Sequence, residues 1–322
     1  MTVRSPGDLV DIRSIPPPET WGVQIDADAL ERSAAQLASA ELPAVSSGIA
    51  TLPHDWPEPA WVTFHTLVMS VMACLWPPEG DEQWTTVVDG VTYTDAPALF
   101  GAFRRGLVLD GDDVDLTPWC DFTELDAELW FRGQGTLQLL DRRADILRAV
   151  ARTLREEWGG RFIDAIRSID ADAESFVQLL IARVPGFDDV ASTEAGTLPF
   201  AKLPRLAAAM ISQRVPMRGL DDFPVYPDYM IPKVLRHWGV FVYDPALAAA
   251  IDRRDLVPEG SQWEHGLRWA TVFAGDRLRD AMASAGRSVT GPELDYALWH
   301  AGVLGPDAGR MGEHHRTITM RY

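Results

Sequence analysis

Only two of the 322 residues are cysteine, Cys74 and Cys120, too few for a disulfide framework or a cysteine-rich metal site. Basic residues are scarce as well: 29 Lys and Arg face 47 Asp and Glu, for a formal charge of -18. Most of such a surface repels a phosphate backbone or an anionic bilayer, so neither nucleic acid nor a membrane is expected as a partner. No apolar run reaches the roughly 18 residues that a membrane-spanning helix needs. The longest, WVTFHTLVMSVMACLW (61-76), reads instead as a buried helix. No cationic-then-apolar segment opens the chain, and a reducing, cytoplasmic location is expected.

Several chemistries lack their motifs. There is no GxxxxGK[ST] and no GxGxxG following a strand, which argues against nucleotide triphosphate or dinucleotide binding. The seven histidines form no HExxH and no paired Cys/His spacing, so neither a metal nor a cofactor is expected. A GxSxG nucleophile elbow is absent. Carboxylate chemistry remains.

What is present is a globular composition, with 47% hydrophobic residues, enough to bury a sizeable core. Apolar residues at helical spacing predict helices over about 28-39, 136-158, 161-169, 171-183, 200-213, 230-238, 245-252, 261-285 and 291-301. Asp89-Gly90, set between two β-branched runs in QWTTVVDGVTYT, predicts a hairpin and the one clear sheet element. The tail RTITMRY alternates enough for a short strand. The expected architecture is mainly α with a small β-hairpin appendage, in a single globular domain over 1-322. A proline-rich N-terminal wrap (1-60) precedes the helix and hairpin (61-110), and a helical catalytic core follows (136-322).

Within VYPDYMIPKVLRHWG (225-239), Asp228 precedes a stripe of Ile231, Val234, Leu235 and Trp238, with Pro232 in the first turn and Gly239 closing the end. Two readings stand side by side. Asp228 caps the helix N-terminus, or it is an ionised carboxylate aimed at a cationic transition state, with Tyr226 and Tyr229 ready to stack on a flat ligand. Lys202 and Phe200, in LPFAKLPRL, read by default as a solvated lysine and a core ring. VPGFDDVA (184-191) reads as a tight turn between helices, a geometry that helix-hairpin-helix glycosylases use ahead of their catalytic region.

Taken in order, these segments resemble the queuosine salvage proteins, which are queuosine 5′-phosphate N-glycosylases. The likeness runs through LQLLDRRADIL, GGRF, VPGFDDV, PFAK, VYPDYMIPKVL, Glu264 and Arg268, ELDYALW and the terminal HHRTITMRY, with LPHDWP and the hairpin upstream. The resemblance implies a helical core related to helix-hairpin-helix DNA glycosylases. It also implies hydrolysis of the ribosyl bond of a 7-deazapurine nucleoside 5′-monophosphate, a small-molecule substrate. Asp228 matches the catalytic aspartate and Lys202 its companion lysine. His54, Tyr226, Asp295 and Tyr296 match positions that hold the base, and Phe200 stands beside the lysine. His315 and Arg316 match the tail, where a cationic pair could clamp a 5′-phosphate.

The departures from the family pattern gather around the base. Met72 and Ala73 replace an amide and an aromatic, Ala201 replaces a tyrosine, TDAP (94-97) lacks a tyrosine and a tryptophan, and His300 stands where an aspartate is expected. Queuine carries a secondary ammonium, for which a carboxylate is the natural partner and a neutral imidazole a poor one. Two alternatives therefore accompany the main expectation: a paralogue with altered base specificity, or a non-catalytic nucleobase-binding protein. Oligomeric state has no signature in the sequence.

Overall fold

The computed structural model describes residues 9-44 and 51-322. Along the chain these form β1 (Val23–Ile25), α1 (Ala27–Ser39), α2 (Glu58–Met69), β2 (Thr85–Val88), β3 (Val91–Thr94), α3 (Asp95–Gly106), β4 (Leu109–Asp110) and β5 (Asp113–Val114). There follow α4 (Glu124–Trp130), α5 (Leu140–Trp158), α6 (Ile163–Ser168), α7 (Ala173–Arg183), β6 (Ala191–Thr193) and β7 (Gly196–Leu198). The last part holds α8 (Lys202–Ile211), α9 (Met230–His237), β8 (Phe241–Tyr243), α10 (Pro245–Asp252), α11 (Gln262–Ser284) and α12 (Gly291–Val303). The protein is mainly helical with small antiparallel sheets.

The chain divides into two compact units, each built from three separate segments. The first comprises Met1–Ser47, Asp189–Lys202 and Leu220–Ile318; the second comprises Gly48–Asp188, Leu203–Gly219 and Thr319–Tyr322.

In the first unit α11 is the central member. Its Leu267, Ala270, Ala274 and Leu278 join Leu30 and Ala34 of α1, Val234 and Leu235 of α9, and Leu294 and Leu298 of α12 in one buried cluster. These positions recur at three- and four-residue intervals, which is why the sequence reveals the helices. Caps fix their starts. Asp26 accepts the Ala29 amide at 2.7 Å, and Thr290 and Glu293 form a reciprocal capping box on α12. Strands β1 and β8 pair with Gln24 opposite Val242.

In the second unit α2 is almost wholly buried, with Trp61, Val62, Phe64 and Leu67 at its heart. The expected hairpin forms: Asp89 (φ 52°) and Gly90 (φ 80°) turn β2 into β3, as a primed turn requires.

Four expectations need correction. The buried helix ends at Met69 and does not reach Trp76, because the Val71, Ala73 and Cys74 carbonyls accept bonds from the buried Arg143 guanidinium. The hairpin is not the only sheet element; β1-β8, β4-β5 and β6-β7 pair as well, in strands of two or three residues whose periodicity is too brief to read. The turn at 184-191 leads from α7 into β6 and not directly into another helix. The tail makes no strand but an isolated bridge, Leu256 to Arg316. Helices α3 and α4 were not foreseen.

Candidate active site

Within the first unit, three chain segments and one helix converge. The β6-β7 hairpin delivers Phe200 and Lys202; the stretch before α9 delivers Tyr226 and Asp228; α12 delivers Asp295 and Tyr296; and α11 supplies Arg268.

Asp228 is half-buried and accepts the amides of Met230 (2.8 Å) and Ile231 (2.9 Å). The capping geometry expected from sequence is therefore real, although Tyr229 is the formal N-cap residue. Both bonds fall on Oδ1, so Oδ2 is the oxygen left for other chemistry.

Lys202 is buried, and its backbone N–H donates to Asp189 Oδ2 at 2.8 Å. The preceding Ala201 has φ 49° and donates its N–H to the Asp189 carbonyl at 2.9 Å. Asp189 thus holds a left-handed turn that a β-carbon resists, and it sets where the Lys202 side chain starts. Sequence offered Asp189 only as a turn cap.

Asp189 also takes two bonds from Arg268, at 2.9 and 2.6 Å, with both side chains buried. Arg268 Nε donates to the Pro227 carbonyl at 3.2 Å, one residue before Asp228. Its guanidinium lies 4.1 Å from the Phe200 ring centroid. The Glu264–Arg268 pair expected on α11 exists, at a looser 3.5 Å. Asp189 is thus a far closer partner, and the pairing has no sequence signal because the two lie 79 residues apart.

The charges here are costly to bury. Burial lowers the Lys202 ammonium from its ordinary range, while Asp228 and then Asp295 oppose that shift. Burial raises the Asp228 carboxyl, against the pull of Lys202 and the two amides. Asp295 is raised well above the usual carboxylate range, by burial first and by Asp228 second. Asp228 does not feel Asp295 in the same way. The asymmetry describes a coupled pair in which Asp228 ionises first and Asp295 then faces an existing negative charge.

The aromatic residues divide. Tyr226 is buried, and its N–H donates to Asp295 Oδ1 at 2.7 Å. Tyr229 packs on His314, ring centroids 4.8 Å apart. Tyr296 lies between Trp299 (5.9 Å) and His300 (6.1 Å). His300 therefore packs on its neighbour's ring. His315 and Arg316 are both buried, with Arg316 3.9 Å from Glu313. Burial pushes the His315 imidazole down to about 3, with His314 adding to the shift. The expected cationic pair is in fact one cation, Arg316, beside a neutral imidazole. His54 lies in the second unit and is exposed, as does buried Met72 of the altered segment. Among the described residues no group of three or more His, Cys, Asp or Glu is arranged to hold a metal.

Fold and site together define a mainly helical protein with a carboxylate–ammonium centre suited to stabilising positive charge on a ligand. The chain belongs to the queuosine salvage protein family, whose model matches residues 54–322. It is 32% identical over 79% of both chains to a queuosine 5′-phosphate N-glycosylase/hydrolase of Sphaerobacter thermophilus. Proteins of the same name from Mus musculus and Dictyostelium discoideum are 23% and 27% identical. The matches cover 72% of this chain and 73% of the mouse protein, and 56% and 57% for the slime-mould protein.

Proposed function

We propose that the chain is an N-glycosidase that hydrolyses queuosine 5′-phosphate to the free base and ribose 5-phosphate, the reaction class named for its relatives. The observation that carries this reading is Asp228: two amides fix one carboxylate oxygen while the other is left for a ligand, with buried Lys202 electrostatically coupled to it.

The leaving base dictates what these groups must do. A 7-deazapurine has carbon where a purine has N7, so protonation there cannot speed departure, and more of the barrier falls on the sugar. An ionised Asp228 about 3 Å from the anomeric carbon stabilises the developing oxocarbenium or orients the attacking water, and such a charge is worth several kcal/mol. Lys202 favours the ionised form of Asp228. Tyr226, Tyr229, Tyr296, Phe200, Asp295, His300 and His54 are assigned to the base, and Arg316 with His315 to the phosphate.

The same proposal covers the finer architecture. The glycine turn at Gly186 (φ 85°) directly after α7 supports a helix-hairpin-helix DNA-glycosylase-like core. The interleaving of the two units, three segments each, supports a single working domain over 1-322. The charge of -18 supports a free nucleotide and not a nucleic acid as substrate, in the cytoplasm.

The test is to incubate purified protein with queuosine 5′-phosphate and resolve the products chromatographically. Release of queuine and ribose 5-phosphate is expected; an intact nucleotide at high enzyme concentration would sink the reading. A second reading, altered base specificity, is favoured by His300, whose imidazole packs on Tyr296 where the family pattern has a carboxylate.

A further inference from the structure

We infer that Arg268, together with Asp189, is a positioning residue that sets the Lys202 ammonium and the Asp228 carboxylate at their working separation. This rests on the glycosidase reading above and deepens it. Lys202 and Asp228 sit on different chain segments, and Arg268 is bonded to both. Two of its nitrogens hold Asp189, at 2.9 and 2.6 Å, and a third reaches the Pro227 carbonyl at 3.2 Å. Asp189 in turn accepts the Lys202 N–H at 2.8 Å and, through its carbonyl, the Ala201 N–H at 2.9 Å. One planar fork therefore spans from the residue before Asp228 to the backbone of Lys202, and the Phe200 ring lies 4.1 Å from its centre.

A helix-surface ion pair would explain none of this. The Glu264 contact, 3.5 Å and one turn away on α11, is that ordinary kind. The Asp189 contact is buried on both sides, 1% and 2% exposed, and such a pair is rarely the cheapest way to stabilise a core. Its geometry makes sense where a fixed distance matters. The guanidinium cannot lose its charge and cannot bend, so the spacing it imposes survives changes in pH that alter Asp228 or Lys202.

Asp189 is equally specific. Its Oδ2 accepts from both Arg268 Nη2 and the Lys202 N–H, and its Oδ1 from Arg268 Nη1. Asparagine has one acceptor oxygen, so Asp189→Asn must give up part of this set in either orientation. Arg268→Lys keeps the charge and loses the fork.

The experiment compares wild type, Arg268→Lys and Asp189→Asn by steady-state kinetics on queuosine 5′-phosphate, thermal melting and selective 15N-lysine NMR of the Lys202 ammonium. Misplacement by about 1 Å costs on the order of 100-fold in rate, so kcat is expected to fall by about that factor with KM within about threefold. A purely structural role lowers the melting temperature and leaves kcat per folded molecule intact, which overturns the proposal. Should either variant fail to fold, the double variant Asp189→Leu, Arg268→Met replaces the pair with apolar groups of similar size; wild-type kcat in that protein also overturns it. If the wild type has no turnover, the glycosidase reading fails, and the NMR arm still decides. Arg268→Lys conserves charge, so a changed Lys202 titration reports geometry, whereas a curve superimposable on the wild type's rejects the positioning role.

Discussion

Asp295 accepts the backbone N–H of Tyr226 at 2.7 Å, bridging 69 residues of sequence, and so fixes α12 to the segment that ends in Asp228. The bond stabilises the Asp295 anion, yet burial and Asp228 outweigh it and leave the carboxyl raised well above the usual range. A carboxyl with a raised folded pKa holds its proton more tightly when native. Its contribution to stability is fully present below the unfolded value and is lost as pH rises through the folded one. Asp295→Asn keeps an oxygen for the Tyr226 amide and removes the charge. The variant is expected to melt a few degrees above wild type at neutral pH, with the gap closing toward acid; calorimetry from acid to neutral pH measures it. A gap that does not change with pH refutes the coupled-pair account.

Asp228 itself separates structure from chemistry. Asn offers a comparable acceptor for the Met230 and Ile231 amides, so Asp228→Asn is expected to melt close to wild type. Its kcat on queuosine 5′-phosphate should fall by about 100- to 1,000-fold, the loss of one charge directed at the transition state. Because burial raises the Asp228 carboxyl, the acid limb of the wild-type rate profile should lie above the ordinary carboxylate range. Residual activity near the wild-type level would remove Asp228 from the chemistry.

Gly291 starts α12 against the 223-226 segment. A β-carbon there would meet the Phe223 carbonyl oxygen at 1.6 Å, and backbone cannot step aside cheaply. Gly291→Ala should therefore displace α12, weaken the Asp295–Tyr226 bond and lower the melting temperature by several degrees, a cost of roughly 2 kcal/mol. Unchanged melting would show that α12 shifts freely.

Restoring the family's carboxylate tests specificity. If a cationic base is the substrate of the relatives and His300 has relaxed that preference, His300→Asp should raise kcat/KM for queuosine 5′-phosphate by about tenfold, the effect of one charge-assisted contact. The comparison nucleotide, a 7-deazaguanosine phosphate without the ammonium, should gain nothing. Equal effects on both substrates remove His300 from base selection.

Much of this was legible in the sequence, for identifiable reasons. The stripe Ile231, Val234, Leu235 and the runs within α11 and α5 repeat over several turns, and Asp89-Gly90 names its own turn. Asp228 was visible because Pro227, Pro232 and Gly239 bracket it. Two-residue strands such as β4 and β5 repeat nothing. The end of α2 depended on Arg143, which takes the carbonyls of Val71 and Ala73 from about seventy residues away. The role of Asp189 was invisible for the same reason: its identity is local, but its partner is not. Neutral His315 could not be foreseen either, because burial and not residue type removes its charge.

The 79 residues between Asp189 and Arg268 also bear on synthesis. A chain emerging from the ribosome displays Lys202 and Asp228 well before Arg268 arrives, and α12 with Asp295 comes later still. Closing so long a loop is favourable only once the surrounding core condenses. A nascent or C-terminally truncated chain should therefore carry the charged groups without the reactivity, so that competence in this enzyme appears at the end of translation and not gradually along it.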